Sequence, residues 1–398
     1  MRVLAIGNLF PPHHHGGYEL VWESGMDLLH DAGDEVAVLT TDYALDAPQP
    51  WPEHAYPVRR ELRWYLRGSE FPRLSARERL ALEGHNARVL GRVLGEVRPE
   101  VVCWWSMGGM SLSLVEQVRA SGIPSVAALC DDWFAYGPAV DAWTRAFATR
   151  PRLAAAVGAL TRLPTRPDLG RAIDSWVFLS RDLAARADAA GLERRAERVA
   201  HRGPDPIFAA AASGPRPPWR WNLIYLGRLD ERKGIDLAVD ALPLLPEEAA
   251  LTVVWSGESD ELERLRARVP AGRVAFASPP RAELPGLVAG ADALLFPVRW
   301  REPWGLVPLE AMAAGTPVIA TGRGGSGEYL RHERNCLVFD PDGGPAALAE
   351  AVRRLAGDAG LRERLRSEGE RTAAALDPRG FERAVAEELR RLAAKGGS

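Results

Sequence analysis

The sequence predicts an α/β protein built from two Rossmann-like, doubly wound domains. Three observations predict it. The chain has 398 residues, too many for one ordinary core. Short apolar runs alternate with helical stretches along its length, the pattern of parallel sheets covered on both faces. The alternation resets once, in a stretch at 203–221 rich in Pro, Gly and Ala.

The first series of strands is expected at 3–6, 35–39, 101–104, 125–129 and 176–179, with helices such as 18–31 and 112–120 between them. The stretch 203–221, GPDPIFAAAASGPRPPWRW, has no clear period and reads as a linker. A second series follows at 223–226, 251–255, 274–276, 293–296, 317–320 and 336–339, with helices at 236–245, 262–269 and 306–314. The tail, 381–394, places apolar residues at helical spacing among Arg and Glu. Spacing alone leaves open whether it caps the second domain or returns to the first. The expected organisation is a first domain over 1–202, a linker over 203–221, a second domain over 222–376 and a terminal helix within 377–398.

Composition narrows the function. The chain is 46% hydrophobic and 26% charged, as a globular protein is. A net charge of −3 gives no global electrostatic case for nucleic acid. No apolar run approaches a membrane span. The start, MRVLAIGNLFPP, reads as a buried first strand rather than a signal peptide. Cys103, Cys130 and Cys336 are scattered, without the spacing of a zinc site or a disulfide framework. A cytoplasmic setting is therefore expected. Oligomeric state is not specified. One segment is locally basic: 58–98 holds ten Arg against five Glu, with Trp64 and Tyr65 among them. It reads either as a surface for an anionic acceptor or lipid headgroups, the one route to peripheral membrane contact, or as a solvated helical face with a loop.

The densest chemistry lies in Glu302-Pro-Trp-Gly-Leu-Val-Pro-Leu-Glu310, followed by Ala311-Met312-Ala313-Ala314-Gly315-Thr316-Pro317. The two glutamates flank an expected strand-to-helix turn. Gly305 lets the backbone come close to a ligand. A helix starting near Leu306 would present free amides and a positive dipole end, which suits a diphosphate. Glu310, about one turn into that helix, can accept two hydroxyl hydrogen bonds, as a ribose offers. Glu302 would reach the ligand's other end. The plain alternative is an ordinary helix with an acidic first turn. Upstream, Gly227-Arg228-Leu229-Asp230-Glu231-Arg232-Lys233-Gly234 follows a strand and precedes a helix. Arg228 and Lys233 bracket that turn and could neutralise a leaving diphosphate; the alternative is surface pairing to Asp230 and Glu231. Lys233 and Lys395 are the only lysines, so a lysine at this turn is informative. Near the start, His13-His14-His15-Gly16-Gly17-Tyr18-Glu19 again sets paired glycines between strand and helix. Adjacent histidines point in different directions and no acidic partner has ligand spacing, so no metal site is expected. A solvated loop or an acceptor contact through His15 is the reading.

With these motifs the chain resembles the retaining GT-B glycosyltransferases of family 4, the group with a Glu-x7-Glu signature. The likeness runs from Pro11-Pro12 and Gly16-Gly17 to Glu328 and Asn335. It is most specific from Glu302 to Thr321. The resemblance implies two Rossmann domains facing across a cleft, with donor held mainly by the second and acceptor by the first. It also implies a last helix that crosses back to the first domain. By position, Glu310 should hold the ribose hydroxyls and Glu302 the donor sugar's hydroxyls. Arg228 and Lys233 should hold the diphosphate. Gly305, Leu306 and Val307 should offer amides to phosphate and sugar. Gly16 and Gly17 should line the phosphate and acceptor side. Ser278 to Arg281 lies where the family seats the base, with Arg281 able to stack on it. Many members carry His-Asp after the fourth strand, where the His faces the donor sugar. This chain has Cys130-Asp131, so that contact departs from the pattern. Cys130 reads as a small packing residue or, together with Asp131, as a sign of an altered donor sugar.

The implied chemistry is metal-independent retaining transfer from a nucleotide diphosphate sugar, a UDP-sugar before a GDP- or dTDP-sugar, to an acceptor hydroxyl. The natural role expected is natural-product or specialised polysaccharide biosynthesis. No cofactor is expected. Domain closure on the donor through 203–221 is expected too. Two rival readings are a nucleotide-sugar epimerase or hydrolase on the same fold, and a non-catalytic nucleotide-sugar-binding protein.

Overall fold

The computed structural model describes the chain except residues 46, 47, 49, 67–69, 213–217, 256–260, 270, 271, 397 and 398. Parts of the expected linker, of the basic segment and of the tail thus lie outside the described residues. The chain divides into two units, Met1–Ala200 with Phe381–Ser398, and His201–Gly380.

In the first unit a seven-stranded sheet runs β3-β2-β1-β4-β5-β6-β7. The strands are β1 Arg2–Ile6, β2 Glu35–Thr41, β3 Val58–Leu62, β4 Val101–Trp104, β5 Ser125–Leu129, β6 Ser175–Phe178 and β7 Glu197–Val199. Every pairing is parallel. β1 lies between β2 and β4, with Val3 opposite Val36 on one side and Val101 on the other. Strands buried on both faces carry unbroken apolar runs, and β1, β4 and β6 do so. Leu4, Ile6, Leu39, Val102, Trp104 and Phe178 form the centre of this core.

The two strands with no counterpart in the sequence reading, β3 and β7, are the sheet's edges. β3 reads Val-Arg-Arg-Glu-Leu and β7 Glu-Arg-Val. Short, charged strands are what edges carry, so the apolar signal is missing there. The basic segment 58–98 therefore supplies β3 and the helix Ala76–Val97, capped by Ser75. Several of its arginines hold the unit together. Arg60 donates to the Phe10 and Pro11 carbonyls, Arg59 pairs with Glu96, and Arg92 pairs with Glu61.

The tail forms the helix Gly380–Gly396. From Phe381 on it belongs to the first unit. Phe381 is fully buried with its ring edge-on to Trp105 at 6.3 Å. Ser175 donates to Glu388 at 2.9 Å and Arg390 pairs with Asp34 at 2.8 Å.

The second unit holds a six-stranded sheet in the order β10-β9-β8-β11-β12-β13. Its strands are β8 Asn222–Leu226, β9 Ala250–Val254, β10 Val274–Ala277, β11 Ala293–Phe296, β12 Val318–Ala320 and β13 Leu337–Val338, again all parallel. Both sheets share one winding: outward in one direction from the first strand, then outward in the other. The stretch 203–221 is not plain linker in its described residues. It carries the helix Pro206–Ala209, capped by Asp205, with Phe208 fully buried. Gly203 N–H donates to the Asp377 carbonyl at 2.7 Å. One buried aromatic anchors a segment whose Pro, Gly and Ala content hides any period. Among the described residues, no helix is long and apolar enough to cross a membrane.

Candidate active site

In open parallel sheets, ligands bind beyond the carboxyl ends of the strands where the strand order reverses. In the second unit that point lies between β8 and β11. The loop after β8 carries Arg228 to Gly234. The loop after β11 carries Glu302 to Gly305. Gly234 has φ +69°, and a Cβ there would lie 2.0 Å from the Pro297 carbonyl. Only glycine lets the two loops come this close.

That approach sets Lys233 Nζ 2.7 Å from Glu302 Oε2. Trp300 Nε1–H donates to the same oxygen at 2.7 Å. The Lys233 ammonium also lies 5.2 Å from the centroid of the Trp300 ring, and Arg232 lies 5.1 Å from it. The carboxylate is nearly buried and held by one charged and one neutral donor. Its backbone is fixed by the turn before the next segment. Glu302 N–H donates to the Arg323 carbonyl at 3.3 Å, and the Glu302 carbonyl accepts from Gly325 N–H at 2.7 Å. Arg228 points elsewhere: its guanidinium is 3.4 Å from Asp230, which Arg232 also approaches at 3.5 Å. Glu231 is 3.8 Å from Arg299. So the structure brings Lys233 to Glu302 and leaves Arg228 on the rim of the same loop.

The helix Leu306–Ala313 starts at Gly305, which has φ +81°, a conformation that favours glycine. The Gly305 carbonyl accepts from the Tyr329 hydroxyl. Glu310 is buried within this helix. Burial raises its carboxyl above the usual range, and Arg281 and then Arg202 pull it back. Arg281 Nη2 lies 3.3 Å from Glu310 Oε1 and 2.9 Å from Asp205 Oδ2, with its guanidinium 5.9 Å from the centre of the Phe208 ring. Arg281 is thus brought to the ribose candidate itself. Ser278, after β10, is exposed.

In the first unit the corresponding reversal is between β1 and β4. The loop after β1 ends at Gly16, whose N–H donates to Glu19 Oε2 at 3.0 Å as the helix Gly17–Asp31 begins. A Cβ on Gly16 or Gly17 would meet nothing within 4 Å, so this helix start is open. The three histidines turn to three partners. His13 Nδ1 accepts from Leu45 N–H at 3.1 Å, His14 lies against Trp51, and His15 against Tyr43. Tyr18 donates to the Ala128 carbonyl at 2.7 Å, tying the helix start to the end of β5. There stand the half-buried Cys130 and Asp131. Asp131 accepts from Trp133 N–H at 3.2 Å and the Tyr136 hydroxyl at 2.8 Å. Burial pushes its carboxyl up to about 6, against those two bonds.

Sequence reasoning missed Trp300, Arg202, Asp205 and His201. His201 stacks on Trp304 at 4.4 Å and lies 3.1 Å from Glu328. Trp304 Nε1–H donates to the Arg202 carbonyl at 2.8 Å. The signal available for Trp300 was an aromatic two positions before the first glutamate. The other three lay in the stretch read as linker or at its border.

Comparison with known proteins adds to this geometry. Residues 220–358 match the family Glycosyl transferases group 1. A D-inositol 3-phosphate glycosyltransferase of Jonesia denitrificans is 38% identical over 164 residues, 38% of this chain and 38% of that one. The matches span less than half the length of the curated relatives. Among solved structures, sucrose-phosphate synthase from Thermosynechococcus elongatus superposes with a TM-score of 0.72 at 20% identity, over 99% of each chain. An Anabaena protein in complex with UDP and glucose superposes with a TM-score of 0.69 at 19% identity, over 98% of this chain and 99% of that one. At such identities these two structures show a shared fold of two Rossmann-like domains.

Proposed function

From the premise that residues 220–358 are a glycosyl transferases group 1 domain, we propose that the chain is a metal-independent, retaining glycosyltransferase using a nucleotide diphosphate sugar. The observation that carries this reading is the Lys233–Glu302 pair beside the start of the helix Leu306–Ala313. An ammonium has three N–H donors, and Glu302 takes one of them. The others serve a leaving diphosphate, together with Arg228 and the amides of Gly305, Leu306 and Val307. Such preorganised donors stabilise charge that grows in the transition state. Glu302 orients the sugar hydroxyls. Glu310, steadied by Arg281, accepts from the ribose, and Ser278 to Arg281 borders the base. Retention follows a front-face route, in which the departing diphosphate takes the acceptor's proton.

The Anabaena protein's complex with UDP and glucose supports a UDP-sugar as the first donor to try. Gly16, Gly17, His15, Cys130 and Asp131 of the first unit are proposed as phosphate, acceptor and sugar contacts. Cys130 in place of an imidazole supports a donor altered at its far end, hence natural-product or specialised polysaccharide assembly. The test is a transfer assay across UDP-, GDP- and dTDP-sugars, with and without EDTA, following the anomeric configuration of the product. Retained configuration, insensitive to EDTA, is expected. Inversion, or loss in EDTA restored by Mn²⁺, overturns the mechanism. Epimer formation from donor alone at the rate of transfer overturns the transferase reading. On donor identity, wild type and Cys130→His are compared on 6-hydroxy and 6-deoxy sugars. Identical preferences for the unmodified hexose would reduce Cys130 to packing.

A further inference from the structure

The helix Pro151–Thr161 of the first unit is apolar on its outer face as well as its inner one. A surface helix ordinarily turns an apolar stripe inward and charges outward. Here the sequence PRLAAAVGALT buries Ala154 alone. Leu153 is 46% exposed and Leu160 is 86% exposed. Leu153, Ala156 and Leu160, at i, i+3 and i+7, form one ridge that faces away from the unit.

The charge carried by the helix and its flanks has one sign. Residues 142–167 contain five arginines and no Asp or Glu, in a chain whose net charge is −3. Arg145, Arg150, Arg152, Arg162 and Arg166 are all exposed. None of them makes an ion pair among the described residues. Elsewhere in the same unit arginines are commonly paired, as Arg59, Arg119, Arg186 and Arg194 are. A groove of about 550 Å³ runs along the base of the helix, lined by Pro151, Ala155, Pro164 and Arg166 and by Glu116, whose charge Arg119 pairs at 2.6 Å.

We infer that this helix and its flanking arginines dock the protein on an anionic lipid bilayer. An apolar ridge enters the boundary between headgroups and acyl chains while arginines on either side meet the lipid phosphates. Charge complementarity selects this occupant over a second copy. A two-fold interface built on the ridge would set five unpaired arginines against five more. The surface is formed wholly by the first unit, and its test reads binding, so it stands or falls apart from the transferase reading.

The test is sedimentation of the full chain with vesicles of phosphatidylcholine alone and of phosphatidylcholine and phosphatidylglycerol in equal parts. The chain should pellet with the second and stay in solution with the first. Arg152→Ser and Arg162→Ser should each lower the partition coefficient about fivefold, and high salt should weaken it further. Leu160→Glu should lower it about tenfold or more. Because Leu160 is so exposed, that substitution carries little folding cost, and an unchanged melting temperature would verify this. No pelleting with either vesicle, equal pelleting with both, or binding untouched by Leu160→Glu overturns the proposal. A dimer in solution that Leu160→Glu dissolves also overturns it and gives the ridge to a second copy.

Discussion

One pair of buried carboxylates in each unit is held differently from the other. In the second unit Glu302 has Lys233 at 2.7 Å and Glu310 has Arg281 at 3.3 Å. In the first, Glu83 and Asp141 are fully buried and make no ion pair among the described residues. Tyr65 and Ser113 donate to Glu83, while Asp141 accepts from Thr144 and from the backbone N–H groups of Leu112, Trp143 and Thr144. Neutral donors that satisfy a carboxylate from one set of elements lock those elements together. A cation beside a carboxylate at a strand's carboxyl end keeps donors for an incoming anion. The difference teaches that the first pair fastens the core, while the second keeps donors beside it, as the proposed donor site requires.

The sharpest way to break this contrast is Lys233→Ala. If the ammonium stabilises a departing diphosphate, kcat should fall by about 100- to 1,000-fold, with little change in melting temperature. A variant that transfers normally but melts early would put Lys233 in the same structural class as the first unit's donors.

Next in size is the Glu310–Arg281 pair. Glu310→Ala should weaken binding of free UDP by about 10- to 100-fold, since its proposed partner is the ribose. Glu302→Ala should spare that binding and depress transfer. Arg281→Ala should weaken UDP binding too, because it leaves the buried Glu310 carboxyl with less opposing charge. Titration calorimetry on both single variants and the double should show strong non-additivity. Additive losses would mean that Arg281 and Glu310 act on different parts of the ligand.

A smaller effect is expected of Trp300→Phe. The ring face under Lys233 survives, while the N–H to Glu302 Oε2 at 2.7 Å is lost. A bond to a charged acceptor is worth roughly 1.5–3 kcal/mol at most, so kcat should fall about tenfold with UDP affinity unchanged. Loss of UDP affinity instead would make Trp300 a nucleotide contact rather than a positioning residue for Glu302.

What was legible in the sequence follows the same physics. Interior strands such as β1, after Arg2, and β11 are apolar along their length, so burial on both faces writes itself into four consecutive residues. The edges β3 and β7 carry Arg and Glu, and no apolar rule finds them. Lys233 and Glu302 could be singled out as candidates because they stand in strand-to-helix loops that hold Gly234 and Gly305, and Glu310 because it lies about one turn into the helix that Gly305 starts. Which of them pair was not legible. The Lys233–Glu302 pair joins residues 69 apart in sequence, and the Arg281–Asp205 pair joins residues 76 apart. Such contacts depend on which strands lie side by side. Asp205 was further hidden in a segment whose fully buried aromatic, Phe208, sets no period.

The last prediction concerns the pair without cations. Burial first, and then the neighbouring Asp141, hold the Glu83 carboxyl well above the usual glutamate range. The folded protein therefore keeps a proton at pH values where the unfolded chain has released it. By linkage, stability contributed by this group is fully present below the ordinary glutamate value and declines as pH rises through the window up to the folded value. Glu83→Gln removes the titration yet keeps an oxygen for the Tyr65 hydroxyl, and an amide can face the Ser113 oxygen. Between acid and neutral pH the wild type should lose more stability than the variant, by about 1 kcal/mol or more, read from denaturant unfolding at a series of pH values. Near pH 4 the two should differ least. Parallel pH profiles would mean that a proton is shared elsewhere in the cluster. A flattening of the profile by Glu310→Gln as large as that by Glu83→Gln would erase the distinction between the two pairs, because Arg281 and Arg202 oppose the rise at Glu310 and hydrogen bonds from Ser111, Ser113 and Tyr65 oppose it at Glu83.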